Sequence, residues 1–154
     1  MSQLQFNIII LLTASCFWNC TKIGTEQEDF NNDEINIYYG SFGGWCISKD
    51  SLSIFSNLDT HFKYKDHCTD ADFETSQNIE QGEYNVLLNS FSRSEFESLT
   101  YNSCARCSDG IDHFLYIVGS NFSHRIVYSS LDNIEPMENF VMQLDRIKED
   151  HQAN

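Results

Sequence analysis

The sequence predicts a single α+β domain, in which a mainly antiparallel sheet carries two helices packed on one face. Three observations support this prediction. The chain has 154 residues, 41% of them hydrophobic, so it has the length of one domain and enough apolar residues for a core. Alternating apolar and polar residues, typical of half-buried strands, occupy much of its first half. Segments with helical spacing come later, giving the order β-β-β-(β)-α-β-β-α.

Three strands are predicted first. Each has apolar residues at every second position, namely Ile35, Ile37 and Tyr39, then Leu52 and Ile54, then Phe62 and Tyr64. The glycine-rich run 40–44 is expected to end the first strand. Residues 66–83 hold six acids and no Lys or Arg, and we expect them to form a solvated loop. Tyr84, Val86 and Leu88 alternate again and would supply the bracketed fourth strand.

A short helix is predicted next from local chemistry. Ser92 and Glu95 have the spacing of a capping box, in which each side chain satisfies a free backbone N–H of the first turn. Phe91 and Phe96 hold the hydrophobic-staple positions around this cap. Together these residues predict a helix over about 93–101.

A hairpin and a terminal helix complete the domain. Residues 111–118 and 122–128 are rich in β-branched and aromatic residues, and turn-forming residues separate them. Pro136 suits the first turn of a helix. Apolar residues then recur at spacings of three and four: Met137, Phe140, Val141, Leu144 and Ile147.

The N-terminal residues 1–20 have features of an export leader. The apolar run 8–14 is followed by small residues directly before Cys16. This arrangement resembles the lipobox of bacterial lipoproteins, so we predict lipidation at Cys16 and attachment to a periplasmic or cell-surface membrane. Cleavage without lipidation would instead give a secreted protein. Residues 21–33 are polar and predict a tether, and residues 34–150 form the domain.

Four of the six cysteines lie in the predicted domain: Cys46, Cys68, Cys104 and Cys107. In an oxidising compartment these are disulfide candidates, and four cysteines allow three pairings. A bridge from Cys46 to either Cys104 or Cys107 would tie the first half of the domain to the second. The sequence does not distinguish among the pairings.

An enzyme that depends on zinc or on a thiol is the alternative. Cys104 and Cys107 can supply half of a zinc site, completed by the other two cysteines or by His67 or His113. Cys104, Cys107, His67 and His113 are weak metal candidates, because the other two cysteines of the domain, Cys46 and Cys68, are too far apart in the sequence to form a second closely spaced pair. No catalytic signature is present, so no catalytic residue and no cofactor is predicted.

The formal charge is −14, from 9 Lys and Arg against 23 Asp and Glu. This balance argues against nucleic acid as a partner, because nucleic-acid binding depends on neutralising phosphates with Lys and Arg. An acidic surface instead favours a basic protein partner. We therefore expect an exported, membrane-anchored, non-catalytic binding domain. A purely structural surface protein is a further alternative.

Two short motifs carry a family resemblance. They are the glycine-rich run 43–46, which ends in a cysteine, and the segment 104–110, which ends in Asp-Gly. In these motifs the chain resembles small secreted and lipoprotein domains of bacteria that have no assigned function, over about residues 35–148. The resemblance implies an exported α+β domain and implies no activity.

Overall fold

The computed structural model describes residues 34–129, 131–132 and 134–153. The predictions for the leader, for lipidation at Cys16 and for the tether lie outside these residues. Among the described residues, none of the helices combines the length and the apolar character needed to span a membrane.

The fold is α+β, as predicted, with one six-stranded antiparallel sheet in the order β4-β3-β2-β1-β5-β6. The strands are β1 (Asn36–Gly43), β2 (Ser48–Ile54), β3 (Asp59–Lys65), β4 (Asp72–Asn78), β5 (Ile111–Val118) and β6 (Ser123–Tyr128). The helices are α1 (Gln81–Asn89), α2 (Arg93–Ser98) and α3 (Glu138–Ala153). Three α-helices are therefore described where two were predicted. Their buried side chains cover one face of the sheet, called the core face here.

The core face begins with β1, the strand whose alternation was clearest in the sequence. Ile37 lies between Ile54 of β2 and Ile117 of β5, and all three side chains are buried. Burial of large aliphatic side chains contributes about 1.5–3 kcal/mol each relative to exposure. The predicted first three strands and the predicted hairpin are confirmed.

The glycine-rich run does not end β1 where the sequence predicted, because β1 continues to Gly43. Gly40 lies inside the strand, and a Cβ there would collide with the backbone oxygen of Asp50 and come within 2.9 Å of the Phe114 ring. The missing side chain therefore allows close packing and does not break the strand. The strand ends at Gly43 and Gly44, where φ reaches +119° and +75°.

The prediction of a loop over residues 66–83 is wrong for residues 72–78, which form the edge strand β4, and for residues 81–83, which begin helix α1. Two acids of β4 pair with lysines on the neighbouring strand, Glu74 with Lys63 at 3.0 Å and Asp72 with Lys65 at 2.9 Å. Charged side chains are typical of edge strands, where they discourage pairing with other chains. Because the segment is rich in acidic residues, the sequence predicted a loop there and not a strand.

The segment predicted as a fourth strand is helical and forms α1. Tyr84 and Leu87, three positions apart, are buried, whereas Val86 is exposed. The Tyr84 hydroxyl donates a hydrogen bond to the Ile35 carbonyl at 3.1 Å, which fixes α1 to the chain just before β1. The fourth strand of the predicted order exists, but it precedes this segment.

Helix α2 is confirmed, together with the Ser92 half of the predicted capping box. The Ser92 hydroxyl accepts a hydrogen bond from the Glu95 backbone N–H at 3.5 Å, and the Phe91 and Phe96 rings lie 5.8 Å apart. The helix ends at Ser98, three residues earlier than predicted. The cap and the staple therefore set where α2 begins.

The terminal helix α3 is also confirmed, and it crosses the core face to the opposite edge. Its last turn places His151 against β3 and β4, with ring nitrogens 2.8 Å from the hydroxyls of Thr60 and Thr75. The Thr60 hydroxyl donates to the Gln77 carbonyl, so it accepts from His151 Nε2–H, and Thr75 donates to Nδ1. This arrangement suits the neutral ring, and burial lowers the pKa of His151.

Replacing Gly40 with Ala should lower the free energy of unfolding by about 1–3 kcal/mol, because the added Cβ overpacks the contact with Asp50 and Phe114. Chemical denaturation measures the change. Gly82→Ala is the matched control, since a Cβ at this helical position meets nothing within 4 Å. The control should stabilise by about 0.4–1 kcal/mol. Equal effects of the two substitutions would contradict the assigned packing.

The stability of the protein should fall as the pH is lowered from about 7 to about 5. The unfolded chain takes up a proton on His151 near the ordinary value of 6.5, whereas the folded chain does so only at lower pH. The unfolded state thus binds more protons in this range, which favours unfolding.

The variant His151→Gln should show a shallower pH dependence of unfolding than the wild type, measured by denaturation at several pH values. His67→Gln, which changes an exposed loop residue, should keep the wild-type slope. A wild-type slope in the His151 variant would exclude this histidine as the cause.

Candidate functional site

The face of the sheet opposite the helices carries a row of aromatic rings. We call it the open face. The rings of Tyr38 in β1 and Tyr116 in β5 stack with their centroids 5.7 Å apart. Phe55, which follows β2, meets the Tyr38 ring edge-on at 6.2 Å. Phe42 and Phe114 form a second pair at 6.2 Å, the Phe114 ring lying over Gly40. Solvent-facing positions of a sheet are usually polar, so these rings mark a specialised surface.

Three loops rise at one end of the open face and turn it into a groove. They connect β1 to β2, β3 to β4, and α2 to β5. The first loop presents Trp45 and Ile47, which are 87% and 66% exposed. The groove has a volume of about 1030 Å³. Its apolar lining consists mainly of Tyr38, Phe42, Trp45, Ile47, Phe114 and Tyr116.

Two disulfides lie at this end of the sheet and use all four predicted cysteines. Cys46 bonds to Cys68, which joins the loop after β1 to the loop after β3. Cys104 bonds to Cys107 within one turn. Neither bond ties Cys46 to Cys104 or Cys107, so the two halves of the domain are held together by strand pairing and the core, not by a disulfide. The first bond restrains the loop that carries Trp45.

The turn that contains the second disulfide is fixed to the sheet by a buried carboxylate. Asp112 of β5 has no exposed surface, and it accepts hydrogen bonds from the backbone N–H groups of Ala105 at 2.6 Å and Arg106 at 3.4 Å. Gly44 N–H donates to the Gly110 carbonyl at 2.9 Å, which joins the turn to the loop after β1. The two motifs that carried the family resemblance are thus in direct contact.

Cationic side chains line the groove alongside the aromatic rings. They are Lys49, Lys65, Arg106 and Arg125, with one acid, Asp109, and with His67 at the rim. The Arg106 guanidinium lies 4.8 Å from the centre of the Phe42 ring, within the range of a cation–π contact. The groove therefore combines flat apolar surfaces with an excess of positive charge.

A second group of ionisable residues lies on the core face, beneath α3. The Tyr39 hydroxyl donates to Asp145 at 2.7 Å, and the Lys148 ammonium lies 3.6 Å from both Asp145 and Asp50. Ser41 donates to Asp50 through its hydroxyl at 2.7 Å. These groups bond to one another, so the cluster serves as a polar contact that fixes α3 to β1 and β2.

Two neighbours of this cluster hold polar atoms without a hydrogen-bond partner among the described residues, His113 Nδ1 and the Tyr128 hydroxyl. The two rings stack at 5.4 Å. Burial raises the pKa of Tyr128 to about 12 and lowers the pKa of His113, an effect that nearby Lys148 reinforces. Both rings are therefore neutral near pH 7 and act mainly as packing groups.

The four weak metal candidates are not brought together as a metal site. The sulfurs of Cys104 and Cys107 are bonded to each other, and His113 is on the core face. Within the described ranges, the one group of three potential ligands is Cys46, Asp66 and Cys68, two of which form a disulfide. Zinc needs deprotonated thiols, so a site at Cys104 and Cys107 would require prior reduction of their bond.

The sequence did not predict the aromatic and cationic residues of the groove as a binding site, because none of them belongs to a recognisable motif. Tyr38, Tyr116 and Arg125 occupy the polar-face positions of correctly predicted strands. A usable signal exists: the solvent-facing positions of β1 and β5 hold large rings where polar residues are usual. Only the strand order places these rings side by side.

The two disulfides should differ in their effect on stability. Cys46→Ser with Cys68→Ser should lower the free energy of unfolding by about 3 kcal/mol, because this bond closes a loop with a sequence separation of 22. The matched pair Cys104→Ser with Cys107→Ser, with a separation of 3, should cost about 1.5 kcal/mol. A larger loss for the second pair would contradict this assignment.

Both bonds should also be visible in the intact mass of protein purified from the cells that produce it. Reduction should add the mass of two hydrogen atoms for each bond. An unchanged mass, with all thiols free before reduction, would show that neither bond forms in that compartment.

Comparison with known proteins does not assign the chain to a family: no protein-family model matches it, and no curated protein sequence matches it. The resemblance to small bacterial secreted and lipoprotein domains therefore stays a prediction. The function proposed below rests on the geometry of the groove.

Proposed function

We propose that the protein is a non-catalytic binding domain that holds its ligand in the groove of the open face. One observation carries this proposal: a concave surface of about 1030 Å³ is lined by six large apolar side chains on the face that the helices leave uncovered. Ligand sites are typically concave and mostly apolar, with a few polar groups that fix orientation. The groove has both properties.

Contacts within the protein restrain the lining of the groove, which favours binding. Stacking of Tyr38 on Tyr116 and packing of Phe42 on Phe114 restrain the floor of the groove. The bond from Cys46 restrains the wall. A site arranged in advance loses less conformational entropy when a ligand binds, so more of the contact energy contributes to affinity.

Export and membrane attachment remain part of the proposal. Two disulfides are typical of an oxidising compartment, which agrees with the predicted leader. Lipidation at Cys16 would place the domain on a membrane surface, with residues 21–33 as the tether. The intact-mass measurement described above also reports whether the mature chain begins at Cys16 and carries acyl groups.

The predicted basic protein partner fits the helix side better than the groove. The groove lining contains one acid, Asp109, whereas the exposed surface of α3 carries several acids, among them Glu138, Glu149 and Asp150. A basic protein would therefore contact the helices. This partner remains a prediction separate from the ligand of the groove.

The alternative of a zinc or thiol enzyme requires a different chemical state of Cys104 and Cys107. The exposed disulfide between them would have to be reduced before either sulfur could bind a metal or act as a nucleophile. The binding proposal needs no such change. We therefore prefer the binding domain.

Phenylnaphthylamine, an uncharged aromatic dye that fluoresces in apolar surroundings, should bind saturably to the full domain. Trp45→Ala and Tyr116→Ala should each weaken binding by about tenfold, because each removes a ring that lines the groove. Fluorescence titration measures both affinities. Trp45 is almost fully exposed, so its replacement should leave the fold intact.

Met142→Ala is the matched control, since Met142 is an exposed apolar residue on α3. Its affinity for the dye should equal that of the wild type. The proposal fails if the dye does not saturate, or if the Met142 variant loses as much affinity as the groove variants.

A further inference from the structure

The cations of this acidic protein are concentrated on the open face. Eight Lys and Arg residues lie in the described part of the chain, and five of them are on this face or at its rim: Lys49, Lys63, Lys65, Arg106 and Arg125. The chain as a whole carries a formal charge of −14. Acids of β3 and β4, namely Asp59, Asp72 and Glu74, share this face near its edge, so the excess of positive charge is confined to the groove, where four cations and one acid line the surface.

Three of these cations have partners within the fold. Lys63 and Lys65 pair with the acids of β4, at 3.0 Å and 2.9 Å. Arg106 lies against the Phe42 ring and 3.8 Å from the buried Asp112. Lys49 and Arg125 have no acid within ion-pair distance among the residues that the structure describes. Two cations in the groove are thus available to a ligand.

Each available cation lies beside an aromatic ring. Lys49 on β2 is directly opposite Phe42 on β1, and Arg125 on β6 is directly opposite Tyr116 on β5. Side chains at directly opposed positions are about 4.5–5.5 Å apart at Cβ. A ligand that stacks on either ring therefore lies within reach of a positive charge.

From this juxtaposition we propose that the groove binds a small organic anion with an aromatic body, whose rings contact the aromatic lining and whose charge is neutralised by Lys49 or Arg125. This inference rests on the proposed binding function and specifies its ligand class. Four cations and one acid line the groove, so a cationic ligand would be repelled. An uncharged ligand would leave the cations unused.

The number and placement of the free cations favour a small ligand over a nucleic acid. A single strand of nucleic acid needs a succession of cations along its backbone, whereas the groove offers two that are unpaired. Lys49 and Arg125 are three strand spacings apart, roughly 14 Å across the sheet, and four residues apart along it, which adds roughly 13 Å in that direction. On the β3 side, the acids Asp72 and Glu74 would repel a longer polyanion.

Anilinonaphthalene sulfonate tests the proposal, because it has the same aromatic body as phenylnaphthylamine and adds one anionic group. Fluorescence titration of the full domain at low salt should show that the sulfonate binds about tenfold more tightly than the uncharged dye. Arg125→Gln and Lys49→Gln should each reduce severalfold the ratio of the affinity for the sulfonate to the affinity for the uncharged dye.

Arg146→Gln is the matched control. Arg146 is an exposed arginine on α3, outside the groove, so its loss should change neither affinity. Added salt should weaken the sulfonate complex and not the uncharged one, since screening acts on the charge alone.

The outcomes separate the two proposals. If both dyes bind with equal affinity, and Trp45→Ala lowers both affinities equally, the proposal of an anionic ligand is wrong. The groove would then still be the binding site. A sulfonate affinity that falls as much in Arg146→Gln as in Arg125→Gln would also overturn the anionic ligand. If an oligothymidylate binds more tightly than the sulfonate, the ligand of the groove is a nucleic acid and the proposal of a small anion is wrong. Failure of both dyes to bind would overturn the proposed function itself.

Discussion

Pairing of β1 with both neighbours is the interaction on which the rest of the molecule depends. This strand pairs with β2 on one side and β5 on the other, so its alternate residues serve two surfaces. Ile37 and Tyr39 lie under the helices, whereas Tyr38 and Phe42 line the groove. A shift of one residue in the pairing would exchange these two sets. Core and groove therefore require the same register, and the packing of Phe114 over Gly40 helps to set it.

The groove end of the sheet is held by bonds between segments that are distant in the chain. The disulfide from Cys46 to Cys68 restrains the loops after β1 and β3, and Asp112 holds the turn that contains Cys104 and Cys107. These loops bury little apolar surface of their own. Covalent and charged contacts therefore replace hydrophobic packing here, which keeps apolar side chains free to contact a ligand.

Much of the fold was predictable because its signals are local. Strand β1 is predicted by the alternation of Ile37 and Tyr39, and the start of α2 by the cap at Ser92. Each signal involves only a few neighbouring residues, and both predictions are confirmed. The edge strand β4 was missed because its acids are neutralised by Lys63 and Lys65 on the neighbouring strand, and this pairing cannot be seen in the local sequence. Helix α1 was mistaken for a strand since four apolar residues within the five positions 84–88 suit either period, and packing against the chain before β1 selected the helix.

By itself the sequence determined the α+β class, the apolar residues of the core and the presence of four cysteines in the domain. The tertiary structure decided how those cysteines pair and which rings and cations share a surface. The physical reason is that the net charge is a sum over all residues of the chain, whereas a binding site depends on where the charged side chains lie in space. A chain with a formal charge of −14 can gather its cations on one face, because strand order places β2, β1, β5 and β6 side by side.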